Sequence, residues 1–247
     1  MQPKQCIAII DSIKAYAKQN STEAQVYEDW FQAVVNLRDA LPQDKRFDAY
    51  KYSGELRSVC AAMMGKMKTG EDVAKVYDII SRTYLFEAKD VFDSYCIYLE
   101  WNRAPEKKFY QPRRKVLRTV ANALQDLADD RLDLLAISMP PGCGKTALAI
   151  FYLTWLAGRT PDEPMLTGSH SNSFVRGVYD ECLRIFDKDG EYLWNDVFPD
   201  VTVSNTNAKD CRIDLGKRKR FETLEFTSIG TGNAGLYRAS TLLYCDD

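Results

Sequence analysis

The sequence predicts an α/β domain with a largely parallel sheet flanked by helices, preceded by an all-α N-terminal domain. In residues 105–247, short apolar runs typical of buried strands alternate with stretches of helical periodicity. Residues 1–104 instead repeat apolar side chains at helical spacing. A polar segment that contains Pro105 separates the two patterns. We therefore place the domain boundary at residues 104–105.

The composition is that of an ordinary globular protein. Hydrophobic residues make up 45% of the chain and charged residues 28%, with a formal net charge of -2, so neither half is a polybasic nucleic-acid binder in bulk. The seven cysteines form no CxxC pair and there is one histidine, so we expect no Cys/His metal cluster and a reducing compartment. No apolar run approaches the ~20 residues that span a bilayer. We therefore expect no membrane partner.

The N-terminal domain is predicted to be a bundle of helices. Its first apolar stripe includes Ile9 and Ile13, and its last includes Val91, Tyr95 and Leu99. Stripes of this kind usually form a core, so we interpret the bundle as serving packing and partner contact. A docking or lid module is the alternative.

The second domain alternates helices and strands. The helices are predicted over residues 113–127, 145–157 and 174–186, and the strands over residues 132–139, 164–168, 211–215, 223–229 and 241–245. This alternation is typical of a sheet with helices on its faces.

The strongest functional signal is the segment MPPGCGKT, residues 139–146, between a predicted strand and a predicted helix. It fits the phosphate-loop pattern GxxxxGK[ST] except that Met139 replaces the first glycine. In such loops backbone amides surround a phosphate, the lysine reaches the β- and γ-phosphates, and the hydroxyl binds Mg²⁺. A chance turn is the alternative. The residues predicted to bind ATP are Pro141, Gly142, Cys143, Gly144, Lys145, Thr146 and Ala147.

Two acids follow the last apolar run. A phosphate loop requires a carboxylate at the end of a neighbouring strand for Mg²⁺, and a second acid to orient or deprotonate water. We predict that Asp246 and Thr146 bind the metal and that Asp247 activates water. The alternative is a solvated strand end, but the upstream phosphate loop favours the functional interpretation.

A glycine-rich segment precedes the final strand. Gly230, Gly232 and Gly235 match GxGxxG, but no helix of sufficient length follows, so we interpret the segment as a turn and not as a dinucleotide fingerprint. Arg238 lies in this turn. It is either a surface arginine or an arginine finger that reaches the γ-phosphate bound to a neighbouring subunit.

The start of the second domain carries candidates for contact with the base. Gln111 could hydrogen-bond adenine while the ring of Tyr110 stacks on it, with Arg113 beside them; a helix cap is the alternative. Two groups of basic residues are candidates for DNA contact: the first is Lys107, Lys108, Arg113, Arg114, Lys115 and Arg118, and the second lies at residues 217–220. The charges of the second group could equally serve solubility. His170 is predicted to be a loop or DNA-side residue.

Taken in order, these motifs resemble the large subunit of phage and prophage terminases. The match runs from Phe109 to Asp247 and also includes residues 155–161 and 167–172. The resemblance implies a P-loop NTPase that uses ATP and Mg²⁺ to drive double-stranded DNA into a procapsid. It further implies a homo-oligomeric ring, a portal protein and a small terminase subunit as partners, and the host cytoplasm as location.

Two departures from the family pattern concern the catalytic residues. Gly142 stands where many relatives place an arginine, which favours Arg238 acting in trans, and Asp247 stands where many such motors use glutamate. The family's nuclease domain and its coupling motif are not found in these residues, so we expect a truncated ATPase with weak turnover. A helicase-like translocase and a nucleotide-binding fragment with little turnover are the alternatives.

Overall fold

The computed structural model describes residues 1–217, 220–228 and 238–246 and divides the chain into two compact units, Met1–Glu87 and Ala88–Asp247. The division lies upstream of the predicted boundary at residues 104–105. Trp155 explains the difference, because its Nε1 donates a hydrogen bond to the Ala88 carbonyl (2.9 Å) and its ring packs against Phe92 and Tyr95. The segment after Glu87 is thus part of the second core.

The first unit is helical, as the apolar stripes predict. Its helices are α1 (Pro3–Gln19), α2 (Ala24–Ala40), α3 (Phe47–Met63) and α4 (Gly70–Ala88). The buried side chains of α2 include Tyr27, Trp30, Val34 and Leu37, which recur at the spacing of one helix face. Ile9, from the first predicted stripe, is instead 40% exposed. Burial of these apolar faces stabilises the unit.

A charged group is also buried in the first unit. Glu87 is 3% exposed and accepts hydrogen bonds from Ser53 Oγ (2.7 Å) and Arg57 Nη2 (3.0 Å to each carboxylate oxygen). Arg57 also stacks on Tyr84, with 4.0 Å between the guanidinium carbon and the ring centroid. A buried carboxylate is tolerated when it is paired and hydrogen-bonded in this way.

The second unit confirms the α/β class. Its described helices are α5 (Phe92–Leu99), α6 (Tyr110–Ala128), α7 (Lys145–Arg159), α8 (Asn172–Phe186) and α9 (Trp194–Val197). Its described strands are β1 (Met165–Ser169), β2 (Val203–Asn207), β3 (Arg212–Leu215), β4 (Leu224–Ser228) and β5 (Leu242–Asp246). Helix α7 is buried over most of its length because it is apolar on all sides.

The sheet is mixed, which corrects the prediction of a largely parallel one. The strand order is β2-β3-β4-β1-β5; β1 runs parallel to β4 and β5, whereas β3 is antiparallel to β2 and β4. The register aligns Ser169 with Ser228 on one side and with Asp246 on the other. The carboxyl ends of three parallel strands therefore meet beside Asp246.

The predicted strand over residues 132–139 is wrong. These residues have no strand assignment, and Leu134 is 84% exposed. An apolar run becomes a strand only when its backbone groups pair with a neighbour, and within the described residues none pairs with this segment. In the described ranges, no helix combines the length and apolar character required to cross a membrane.

Candidate functional site

The segment before α7 depends on two glycines. Gly142 has a φ of 80° and Gly144, the N-cap residue of α7, has a φ of 94°, a left-handed conformation that other residues adopt at a cost. A Cβ at Gly144 would also collide with the ring of Phe109. The loop therefore adopts its shape because these two positions lack side chains.

The N-terminus of α7 carries the positive end of the helix. No side chain caps it in the part of the chain that the structure describes. The first amides of any helix lack intrahelical acceptors and concentrate partial positive charge. Lys145 and Thr146, the first two residues of α7, add an ammonium group and a hydroxyl to this end. The combination is suited to an anion.

Asp246 meets this helix end from the last strand. Its carboxylate Oδ1 lies 3.0 Å from Lys145 Nζ, and its Oδ2 accepts a hydrogen bond from Thr146 Oγ1 at 3.1 Å. The Asp246 side chain is 3% exposed, whereas that of Lys145 is 32% exposed. The structure thus brings Asp246 to the adjacent pair Lys145 and Thr146, although Thr146 lies 100 positions upstream of Asp246.

The positive charge at this helix end is only partly neutralised, so it can still attract an anionic ligand. Asp246 neutralises Lys145, but the amides of the first turn of α7 keep their partial positive charge. The lysine side chain is long and flexible, and it is partly exposed. Lys145 can therefore exchange Asp246 for an incoming anion.

Glu100 fixes the chain on the other side of the loop. This residue is 1% exposed and accepts hydrogen bonds from the backbone N–H of Phe109 (2.8 and 3.0 Å) and of Tyr110 (2.8 Å). Arg103 Nη1 pairs with the same carboxylate at 3.0 Å. Glu100 thereby caps α6 and presents Phe109 to Gly144, a role that sequence reasoning missed.

Tyr110 lies in the core and not on a surface that a base could contact. Its ring is fully buried, and its hydroxyl donates to Asp93 Oδ1 at 2.6 Å. Burial raises the pKa of Asp93, but hydrogen bonds from Arg114 and Tyr110 outweigh it and hold that pKa below its ordinary value. Stacking of Tyr110 on adenine would require it to leave this network.

The other residues predicted to contact the base are at the surface. Gln111 and Arg113 are exposed, and Arg113 Nη1 donates to the Phe109 carbonyl at 3.2 Å. That bond keeps Arg113 close to the ring that contacts Gly144. Both side chains remain candidates for contact with a base.

The basic residues near α6 divide into paired and exposed groups. Lys107 pairs with Glu191, Arg114 with Asp93, and Lys108 donates to the Trp101 carbonyl. The exposed ones are Arg113, Lys115 and Arg118, together with Lys217 and Arg220 from the second cluster. Contact of Lys107, Lys108 or Arg114 with a nucleic acid would break these bonds, and contact of Arg113 would break its hydrogen bond to the Phe109 carbonyl.

Several predicted residues are not placed beside the helix end. Asp247, the GxGxxG turn and positions 218–219 lie outside the described residues, so their roles stay predictions. Arg238 is exposed, and so is His170. The described site therefore consists of the loop, Lys145, Thr146 and Asp246.

A serine that sequence reasoning missed lies next to Asp246. Ser169 ends β1, is fully buried, and its Oγ has no hydrogen-bond partner within the described part of the chain. Its register with Asp246 in a parallel pair places both side chains on one face of the sheet. A single serine in a strand matches no motif, so the sequence alone does not indicate a role for it.

The residues at this site fit a magnesium ion that arrives with a phosphate. Within the described ranges no group of three or more His, Cys, Asp or Glu side chains could hold a metal. Magnesium, however, is usually bound through one or two carboxylates together with substrate phosphates, and not by a full protein cage. Asp246 and the Thr146 hydroxyl supply that smaller set.

Comparisons with protein family models, with curated proteins and with solved structures found no match to this chain.

Proposed function

We propose that this chain binds ATP with Mg²⁺ and hydrolyses it. The observation that carries the proposal is the meeting of Lys145, Thr146 and Asp246 at the uncapped N-terminus of α7. A lysine, a hydroxyl and a buried carboxylate at a glycine-shaped helix start are the groups that bind a nucleotide's phosphates and its metal. A chance turn would not bring the distant Asp246 to the same point.

Each residue has a role in this proposal. Lys145 and the first amides of α7 bind the phosphates, while Thr146 and Asp246 hold Mg²⁺, which neutralises phosphate charge when bound. Asp247 orients or deprotonates the attacking water. Gln111 and Arg113, exposed near Phe109, contact the base.

The motor that we propose is the ATPase part of a terminase large subunit. The support is the order of the motifs, from Phe109 through the loop to Asp246. In this role the chain translocates double-stranded DNA into a procapsid in the host cytoplasm. Its partners are the portal protein, the small terminase subunit and further copies of the chain in a ring, with Arg238 acting in trans.

A second candidate is a nucleotide-binding fragment with little turnover. The observation that favours it is the segment 132–139, which leads directly into the loop and pairs with no strand of the described ranges. A loop whose entry is not anchored in a sheet can bind phosphates but orients the reacting groups less well.

The test of the proposal is the variant Lys145→Ala. We expect it to weaken binding of a fluorescent ATP analogue by about 10- to 100-fold, because hydrogen bonds to charged groups are lost, and to abolish phosphate release. Lys188→Ala, at an exposed lysine of similar charge, is the matched control and should behave as wild type. Unchanged affinity and turnover in Lys145→Ala would refute the assigned site.

Turnover and DNA separate the candidates. Binding without phosphate release by the wild-type chain favours the nucleotide-binding fragment. Phosphate release that double-stranded DNA stimulates without separation of its strands favours the packaging motor over a helicase-like translocase.

A further inference from the structure

The two oxygens of the Asp246 carboxylate contact Lys145 and Thr146, the residues that bind the phosphates and the metal in the proposed function. Lys145 Nζ contacts Oδ1 and Thr146 Oγ1 donates to Oδ2. In the proposed function, the phosphates attract Lys145 and the metal attracts the Thr146 hydroxyl. Loading of the site therefore removes at least the lysine from Asp246.

A buried carboxylate cannot lose a donor without cost. Asp246 is 6% exposed, so bulk water cannot replace the lysine freely. When bound, Mg²⁺ would offset the charge of Asp246, but the oxygen that loses the lysine would keep an open acceptor site, and a buried acceptor without a hydrogen bond is unfavourable. That oxygen therefore requires a second donor in the loaded state.

Ser169 meets this requirement. Its hydroxyl is fully buried and has no partner in the described residues. Its Cα is in register with that of Asp246 on adjacent parallel strands, whose backbones lie about 4.8 Å apart with side chains on the same face. A change of side-chain rotamer can bring a hydroxyl and a carboxylate so placed into hydrogen-bond contact.

Its neighbours do not offer the same free donor. Ser228, the register partner on the other side of Ser169, already takes part in other interactions. Thr167 is 1% exposed and its hydroxyl also lacks a partner in the described chain, but its register partner on β5 is Tyr244. Thr167 thus resembles Ser169 in burial and differs in its distance from Asp246.

We infer that Ser169 is a positioning residue, whose hydroxyl donates a hydrogen bond to Asp246 once Lys145 turns to the phosphates. The bond keeps the carboxylate ordered and directed toward the metal. The inference rests on the proposed function and adds a residue to it. It also explains a fully buried hydroxyl that forms no hydrogen bond within the described residues.

The experiment compares Ser169→Ala with Thr167→Val. In the absence of nucleotide, both variants should be as stable as wild type or more so, because each removes a buried hydroxyl that has no partner. With ATP present, Ser169→Ala alone should need about tenfold more Mg²⁺ for half-maximal thermal stabilisation, since one charge-assisted hydrogen bond is lost. Thermal unfolding across a Mg²⁺ titration measures both effects without depending on turnover.

Three results would overturn the inference. A stability loss in Ser169→Ala of equal size with and without ligand would indicate a packing role. An equal shift of the Mg²⁺ midpoint in Thr167→Val would show that the effect is not specific to Ser169. A Ser169→Ala response identical to wild type would refute this inference alone, whereas a wild-type chain that ATP and Mg²⁺ do not stabilise would refute the proposed function as well.

Discussion

Two buried carboxylates, one in each compact unit, have similar partners in different surroundings. Glu87 accepts hydrogen bonds from the Ser53 hydroxyl and the Arg57 guanidinium, and Asp246 accepts them from the Thr146 hydroxyl and the Lys145 ammonium. Glu87 and its partners lie within helices α3 and α4. The partners of Asp246 lie at a helix start that two glycines shape.

The difference separates an ion pair that is fixed by its surroundings from one that can exchange its partner. The planar guanidinium of Arg57 binds both oxygens of Glu87 and is fixed by stacking on Tyr84. Lys145 contacts Asp246 through a single ammonium group on a flexible side chain that is partly exposed. The Arg57–Glu87 pair is therefore fixed, whereas the Lys145–Asp246 pair can separate.

The largest effect on stability is expected for Arg57→Ala. This change leaves the Glu87 carboxylate buried without its cation, and we expect a loss of roughly 3–5 kcal/mol in the free energy of unfolding. Urea unfolding of the whole chain measures it. Lys75→Ala, which breaks an exposed pair with Glu71 in the same unit, is the control and should have no measurable effect. Equal stability of the two variants would contradict a structural role for Arg57.

Glu225 extends the comparison to a carboxylate with an acidic neighbour. It is 1% exposed, and burial, together with a hydrogen bond shared with Glu222, raises its pKa to about 7 against the opposing effect of Arg212. Because the folded pKa lies above that of an unfolded glutamate, the protonated form stabilises the fold. That stability is complete in mildly acidic solution and is lost as pH rises through about 7.

We therefore expect Glu225→Gln to remove this pH dependence. The glutamine stays neutral, so above neutral pH the variant should be more stable than wild type by about 2 kcal/mol. Near the ordinary pKa of glutamate the difference should vanish. Urea unfolding of both proteins at the two pH values checks the sign, and a stability difference between Glu225→Gln and wild type that does not grow from the lower to the higher pH would contradict it.

A smaller effect on stability is expected for Asp246→Asn. Asparagine can still accept the Thr146 hydrogen bond, and Lys145 can turn to solvent, so we expect a loss of only about 1 kcal/mol without nucleotide. Stabilisation by ATP should then no longer depend on Mg²⁺, because the carboxylate ligand is gone. Thermal unfolding with and without Mg²⁺ measures this. A loss as large as that of Arg57→Ala would mean that the second pair is structural too.

The sequence was sufficient for the α/β class and for the meeting of three site residues. Lys145 and Thr146 belong to a short pattern whose spacing carries its own physical requirement, and Asp246 ends an apolar run of strand length. Such signals are local, so they can be interpreted without knowledge of tertiary contacts. The helices α7 and α8 were predicted within a few residues for the same reason.

Features that depend on distant partners could not be predicted. Residues 132–139 have the composition of a buried strand, but strand formation also requires a neighbour, which composition does not report. Glu100 accepts a hydrogen bond from the Phe109 amide, which lies nine residues further along the chain. The role of Tyr110 was misjudged because an aromatic at a helix start looks the same whether it faces a ligand or Asp93.

The contact between Phe109 and Gly144 limits how the glycine loop can be engineered. A methyl group at position 144 would overlap the ring, and the ring in turn is fixed by the backbone bonds to Glu100. The glycine loop and the stretch that opens α6 thus form a single structural unit. Transplanting the loop into another scaffold would succeed only if Phe109 and Glu100 were transplanted with it.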